Sequence, residues 1–241
     1  MSKAQTGYNV PMGVFITFEG PEGAGKSTQI RLLYERLQAM DYPVILTREP
    51  GGTRISEMIR RIVMDLRHTE MAPTTETLLF SAARAQLVSE LIRPYLNTGG
   101  IVLCDRYADS TFAHQGYGLG RDLDELQAIT TVATGGLMPD LTFYLDIAVE
   151  DGLRRKQVAK DRAEQGALST TSGTPPEWNR LDARDLAYHQ RVAVGFADLI
   201  RQDPGRWRSF PADQPLADLA EQIAREVEPL LKRVMRLGAY R

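Results

Sequence analysis

The eight residues from Gly20 to Ser27, GPEGAGKS, restrict this chain more than any other stretch. They follow the apolar run VFITFE. After them Ile30, Leu33, Leu37 and Met40 recur three and four residues apart, the spacing of one buried helix face. Glycines at these offsets let backbone N–H groups turn inward, and the helix N-terminus adds partial positive charge. A strand, such a loop and a helix in that order cradle phosphates. The candidate phosphate-binding set is Gly20, Pro21, Glu22, Gly23, Ala24, Gly25, Lys26, Ser27 and Thr28. Lys26 would reach the outer phosphates, and the Ser27 hydroxyl a Mg²⁺ ion that they share.

Beyond the cradle, short apolar runs alternate with helical patterns. The strand candidates are VFITFEG, PVILTRE, IVLCDR, LTFYLD and RWRSFP. Helices are expected after the cradle, over about 55–66 and 76–96, around Leu126–Ala133, and near 183–202 and 215–236. This order predicts an α/β chain, a three-layer sandwich with a central parallel five-stranded sheet flanked by helices. With 241 residues, a single domain over 13–241 is expected, and the polar residues 1–12 read as a flexible tail.

A net charge of −2 gives no reason to expect nucleic-acid or membrane-surface partners. No apolar run approaches the roughly 20 residues of a membrane span. The single cysteine, Cys104, rules out an internal disulfide and fits a reducing cytoplasm. Inside an apolar run it reads as a buried structural thiol. His68 and His189 lack partners at metal spacing and read as surface residues.

One segment breaks the alternation. Residues 160–179, KDRAEQGALSTTSGTPPEWN, are polar and have no apolar period. A connection this long inside a compact domain is a functional lid or a disordered insertion. The cationic RRKQVAKDR before it and Arg180 after it favour a lid over about 154–182.

The cradle alone leaves the phosphate acceptor open, because kinases, GTPases and mechanical ATPases share it. A GTPase would need an Asn-Lys pair to read guanine, and the chain has none. Mechanical ATPases are generally larger. A small-molecule kinase remains, with a different nucleotide or nucleoside acceptor, or an ATP-sensing regulator, as rival readings.

Three further stretches sit at strand ends or on the helix facing them, where open α/β sheets bind ligands. They are TREPGGT at 47–53, LLFSAARAQL at 78–87 and CDRYADSTFAHQG at 104–116. With the cradle, PDLTFYLD at 139–146 and NRLDARDLAYHQR at 179–191, the chain resembles the thymidylate kinase family of P-loop nucleoside monophosphate kinases. The likeness runs in order from about residue 13 to 215.

The resemblance implies transfer of the γ-phosphate of Mg-ATP to dTMP, and a role for each residue. Arg48 would meet the dTMP phosphate with the paired donors of a guanidinium, beside the turn of Pro50, Gly51 and Gly52. Phe80 and Arg84, four apart on one helix face, would stack on thymine and donate to its O4, where cytosine carries a donor. Asp105 would steady Mg²⁺ through water, and Arg106 would bridge donor and acceptor phosphates. Ser110, Thr111 and Gln115 would line the nucleoside pocket. Glu22 would accept a hydrogen bond from the deoxyribose 3′-OH. His114 either helps to exclude a ribose 2′-OH or is a packed neutral imidazole. Pro211, Ala212 and Asp213 would lie against adenine.

Family members carry a catalytic arginine in the cradle or in the lid, and this cradle has none. The resemblance therefore assigns that role to Arg180, with Lys26 and Arg106 as the other catalytic cations and Arg154 and Arg155 as helpers. It also implies a cytoplasmic homodimer built through the second and third helices, feeding dTTP synthesis.

Overall fold

The computed structural model describes residues 13–164 and 178–236. The expected tail at 1–12 and the middle of the expected lid, 165–177, lie outside the described residues. Five strands, β1 (Val14–Glu19), β2 (Val44–Arg48), β3 (Ile101–Asp105), β4 (Leu141–Asp146) and β5 (Trp207–Pro211), form one sheet in the order β2-β3-β1-β4-β5. Every pairing is parallel. All five expected strands are present.

The alternation along β1 explains the layering. Val14, Ile16 and Phe18 pack with Ile30, Leu33 and Leu37 of α1 (Lys26–Ala39) and with Ile223 and Val227 of α9 (Leu216–Leu231). Phe15 faces the opposite side, with Val102, Cys104 and Leu87, the last on α3 (Pro73–Leu87). Each such buried Ile, Leu or Phe contributes about 1.5–3 kcal/mol. The same opposite face carries Thr17 and the fully buried Glu19, a polar end to an otherwise apolar strand. A third cluster joins Tyr144 of β4 and Trp207 of β5 to Tyr188, Val192 and Phe196 of α8 (Leu186–Gln202). The helices α2 (Arg54–Met64), α4 (Arg93–Asn97), α5 (Ala108–Thr111), α6 (Leu123–Thr134) and α7 (Val149–Glu164) complete the described elements.

Several boundaries differ from expectation. The helix expected at 76–96 begins at Pro73, whose missing N–H is harmless at the first helical position. It then passes through a π-helical turn, Val88–Ile92, before α4; Pro94 just beyond cannot donate to an α-helical ladder. The stretch 154–164, read as the first part of the lid, belongs to α7. Lysine, alanine and glutamate favour helix, and Gln157 donates to Asp161 at 2.7 Å one turn on. Finally, the chain after β3 is helical: α5 leads straight into a π-helical segment, Phe112–Gly118, which no apolar period announces.

Candidate active site

The strand C-termini gather the cradle, the end of β2 and the end of β3 along one edge. Within the cradle, Gly23 has φ +72°, and an added Cβ would lie 2.1 Å from the Gly152 carbonyl oxygen of α7. The loop backbone therefore rests directly on α7. Lys26 is buried and folds its ammonium back onto the carbonyls of Gly20 (3.0 Å) and Pro21 (2.8 Å). Burial, reinforced by Arg106, pulls its pKa down to about 8. At the helix start the exposed Ser27 Oγ donates to Asp105 Oδ2 at 2.6 Å. This hydroxyl and carboxylate, on different elements, supply the hard oxygen donors that suit Mg²⁺, an ion that keeps most of its waters.

Arg106 follows at once and adopts φ +69°, rare for a side-chain-bearing residue. Its backbone N–H donates to Phe18 O at 3.0 Å, which pins the turn to β1. The guanidinium pairs with Glu22 of the cradle at 2.5 Å and lies 3.6 Å from Glu19. Glu19 also accepts from the Tyr107 amide (2.8 Å) and the Ser110 hydroxyl (2.7 Å). Burial pushes Glu19 up to about 7 although Arg106 opposes it. Burial would raise Glu22 as well, but Arg106, Lys26 and Lys156 hold it well below the usual carboxylate range. Cations and anions thus alternate through the junction.

The nucleoside side is built from α3 and the helical stretch after β3. Arg84 is buried and held three ways: Nε on Glu49 Oε2 (2.8 Å), Nη1 on Thr111 Oγ1 (2.9 Å) and Nη2 on Tyr107 O (3.1 Å). Phe80, one turn earlier on α3, is half-buried. Gln115, in the π-helical segment, donates to Glu76 at 3.0 Å. Arg48 is exposed, with Glu57 of α2 holding its Nη2 at 3.1 Å. Glu57 also accepts from the Gly52 amide at 2.9 Å, so one carboxylate fixes both the arginine and the turn.

Arg180 makes its contacts with α2 and α3. Its Nε donates to Val63 O at the end of α2 (3.0 Å), and its Nη2 pairs with Glu76. Arg184 pairs with the same Glu76 oxygen at 2.6 Å. Arg154 is exposed and paired with Asp151, while Arg155 donates to Ala212 O at 3.2 Å, next to Pro211 and Asp213.

His114 is packed into the core between α8 and the helical stretch after β3. Its Nδ1 lies 2.9 Å from Tyr188 OH, its ring meets Phe196 edge-on, and burial followed by Arg106 drives its pKa well down. His189 is buried, which corrects its reading as a surface residue: α8 turns it inward, and burial lowers its pKa. Cys104 is fully buried and its thiol pushed up by burial, as a structural thiol requires.

Sequence reasoning missed Glu19, Glu49, Glu76, Lys156 and Asp182. The first two had a signal, a carboxylate closing an apolar strand run. The other three sit in polar stretches with no period to single them out.

Known proteins are similar to this chain in sequence and in fold. A family model described as thymidylate kinase matches residues 18–223. The chain is 69% identical to a thymidylate kinase of Roseiflexus castenholzii, over 95% of this chain and 98% of that one. It is 58% identical to one of Herpetosiphon aurantiacus, over 94% and 100%. The crystal structure of a thymidylate kinase from Ehrlichia chaffeensis aligns with TM-score 0.68 at 28% identity, covering 90% of this chain and 98% of that chain.

Proposed function

Because the chain belongs to the thymidylate kinase family, we propose how its own residues carry the γ-phosphate of ATP to dTMP, yielding ADP and dTDP. One observation carries the reading: Arg106, at the end of β3, is paired at 2.5 Å with Glu22 inside the phosphate cradle. A guanidinium held between the donor's loop and the strand end that faces the acceptor is positioned to neutralise charge spreading over a transferring phosphoryl group.

In this proposal the cradle amides and Lys26 hold the outer phosphates of ATP. An incoming polyphosphate would draw the Lys26 ammonium from its carbonyl partners and favour its charged form. Ser27 and Asp105 would hold Mg²⁺, which would offset the charge of the phosphates. Arg48 meets the dTMP phosphate, Phe80 stacks on thymine, and Arg84 with Gln115 donates to its edge. Thr111 and Ser110 hold Arg84 and Glu19 in place. Glu22 accepts from the sugar 3′-OH. No base is required, since the acceptor phosphate is already an anion. Arg180 serves the phosphoryl group only when its pair with Glu76 opens.

The homodimer belongs to the same proposal. Ile55, Met58 and Ile62 of α2, Leu78 of α3 and Val132 of α6 are all exposed, an apolar surface that a second copy would cover. No helix among the described residues is long and apolar enough to cross a membrane, and we assign the chain to the cytoplasm.

A coupled assay of ADP release across dTMP, dUMP, dCMP, AMP and nucleosides tests the reading. Turnover fastest with dTMP is expected. A rate with dTMP no greater than with ATP alone overturns it.

A further inference from the structure

Lys156, on α7, projects its ammonium between two carboxylates from opposite ends of the site. It lies 3.0 Å from Glu22 Oε2 in the cradle and 2.7 Å and 2.8 Å from the two oxygens of Asp182. Asp182 is buried and also accepts the Asn179 amide at 2.8 Å. The two oxygens of Glu22 are thus divided: Oε1 receives Arg106 and Oε2 receives Lys156. From Glu19 through Arg106, Glu22 and Lys156 to Asp182, anions and cations alternate without a gap.

Backbone packing fixes where this ammonium can reach. An added Cβ on Gly152 would lie 2.1 Å from Glu22 O, as one on Gly23 would from Gly152 O. The cradle and α7 meet backbone to backbone, with no side chain between them. Lys156 is one helical turn beyond Gly152 and so shares its face toward Glu22. Arg154 and Arg155, the cations expected to help, make their contacts with Asp151 and Ala212 instead.

We propose that Lys156 is a positioning residue for phosphoryl transfer: by holding Glu22 Oε2, it keeps Oε1 on Arg106 and so sets where the Arg106 guanidinium stands. The proposal rests on the reading of Arg106 given above. Without the ammonium, Glu22 is free to turn both oxygens toward Arg106, which favours a two-pronged carboxylate grip. That grip would draw the guanidinium toward the cradle wall and away from the transferring group. A displacement of this kind acts on the transition state more than on nucleotide binding, because a small misplacement costs rate first.

The test compares Lys156→Met, Lys156→Arg, Glu22→Gln and the Lys156→Met/Glu22→Gln double variant by steady-state kinetics with Mg-ATP and dTMP. For Lys156→Met we expect kcat at least tenfold lower with both KM values within threefold of wild type. Lys156→Arg, which restores a cation between the carboxylates, should recover kcat to within threefold. In the Glu22→Gln background the Lys156→Met change should cost less than threefold, because its route to Arg106 is already cut. A Lys156→Met enzyme within twofold of wild type, a loss confined to KM, an unrescued Lys156→Arg, or full additivity with Glu22→Gln would overturn the proposal. Should Lys156→Met fail to fold because Asp182 is left buried and unpaired, the same comparison is read between Asp182→Asn and Lys156→Met/Asp182→Asn. If wild type itself shows no dTMP-dependent turnover, the functional reading fails and not this step alone.

Discussion

Arg84 Nε donates to Glu49 Oε2 at 2.8 Å, and both side chains are at most 5% exposed. The pair, with Thr111 and Tyr107 O, fixes the guanidinium before any nucleotide arrives. A guanidinium has five donors; three are spent here, and the proposed base reading draws on the other two. Arg84→Ala is expected to lower the dTMP-to-dCMP ratio of kcat/KM at least tenfold, since the donor proposed for O4 is lost. Measuring both substrates with purified folded variant checks it, and a ratio within twofold of wild type removes Arg84 from base reading.

Glu49 is pushed up to about 7 from 4.5, chiefly by burial with Arg84 opposing. The folded state therefore holds a proton that the unfolded chain releases, and this group's contribution to stability falls as pH rises from about 4.5 to 7. Its share is at most about 3 kcal/mol. Glu49→Gln should flatten the decline in unfolding free energy between pH 5 and pH 7.5, read by urea titration. Glu19, raised likewise, keeps part of the slope. Parallel slopes in variant and wild type would show that Glu49 does not titrate in this window.

Arg180 shares the Glu76 carboxylate with Arg184 and also donates to Val63 O. Arg180→Ala should lower stability by about 1–3 kcal/mol, because Glu76 keeps Arg184 and Gln115 while Val63 loses its donor. Its proposed role in the transition state requires in addition a kcat at least tenfold lower, about 1.4 kcal/mol, with dTMP binding little changed. A kcat per folded molecule equal to wild type assigns Arg180 wholly to the Glu76 contact.

The 2.6 Å bond from Ser27 to Asp105 joins the two oxygens proposed for Mg²⁺. Chelation with EDTA should abolish dTMP phosphorylation, and added Mg²⁺ should restore it. Ser27→Ala and Asp105→Asn should each raise the half-saturating Mg²⁺ concentration at least tenfold, with the ATP titration repeated at saturating metal as control. Unchanged metal dependence in both variants would move the ion elsewhere.

What the sequence made legible follows from how each element is specified. β1 and α1 declare themselves through apolar period and the glycines between them, so the cradle, all five strands and their parallel sheet could be read directly, but not the order β2-β3-β1-β4-β5. The helical stretch 108–118 could not, because its residues are buried on several sides and show no stripe. Arg84 was legible as an arginine in an apolar run, but not its partner Glu49, which lies 35 positions away. Lys156 and Asp182 were hidden for a related reason. Each looks like solvated charge in a polar segment, and only the seating of α7 on the cradle brings them to Glu22.

Cys104 lends the molecule a practical use. The chain's single thiol is wholly enclosed between β3 and its packing helices, with its ionisation suppressed. A thiol-directed dye should therefore ignore the native fold. A cysteine introduced at an exposed position such as Val194 should be labelled alone, giving one fluorophore per chain without first deleting the native sulfur. Conversely, slow labelling of Cys104 itself reports how often the sheet opens, so one buried atom serves as a clock for the core.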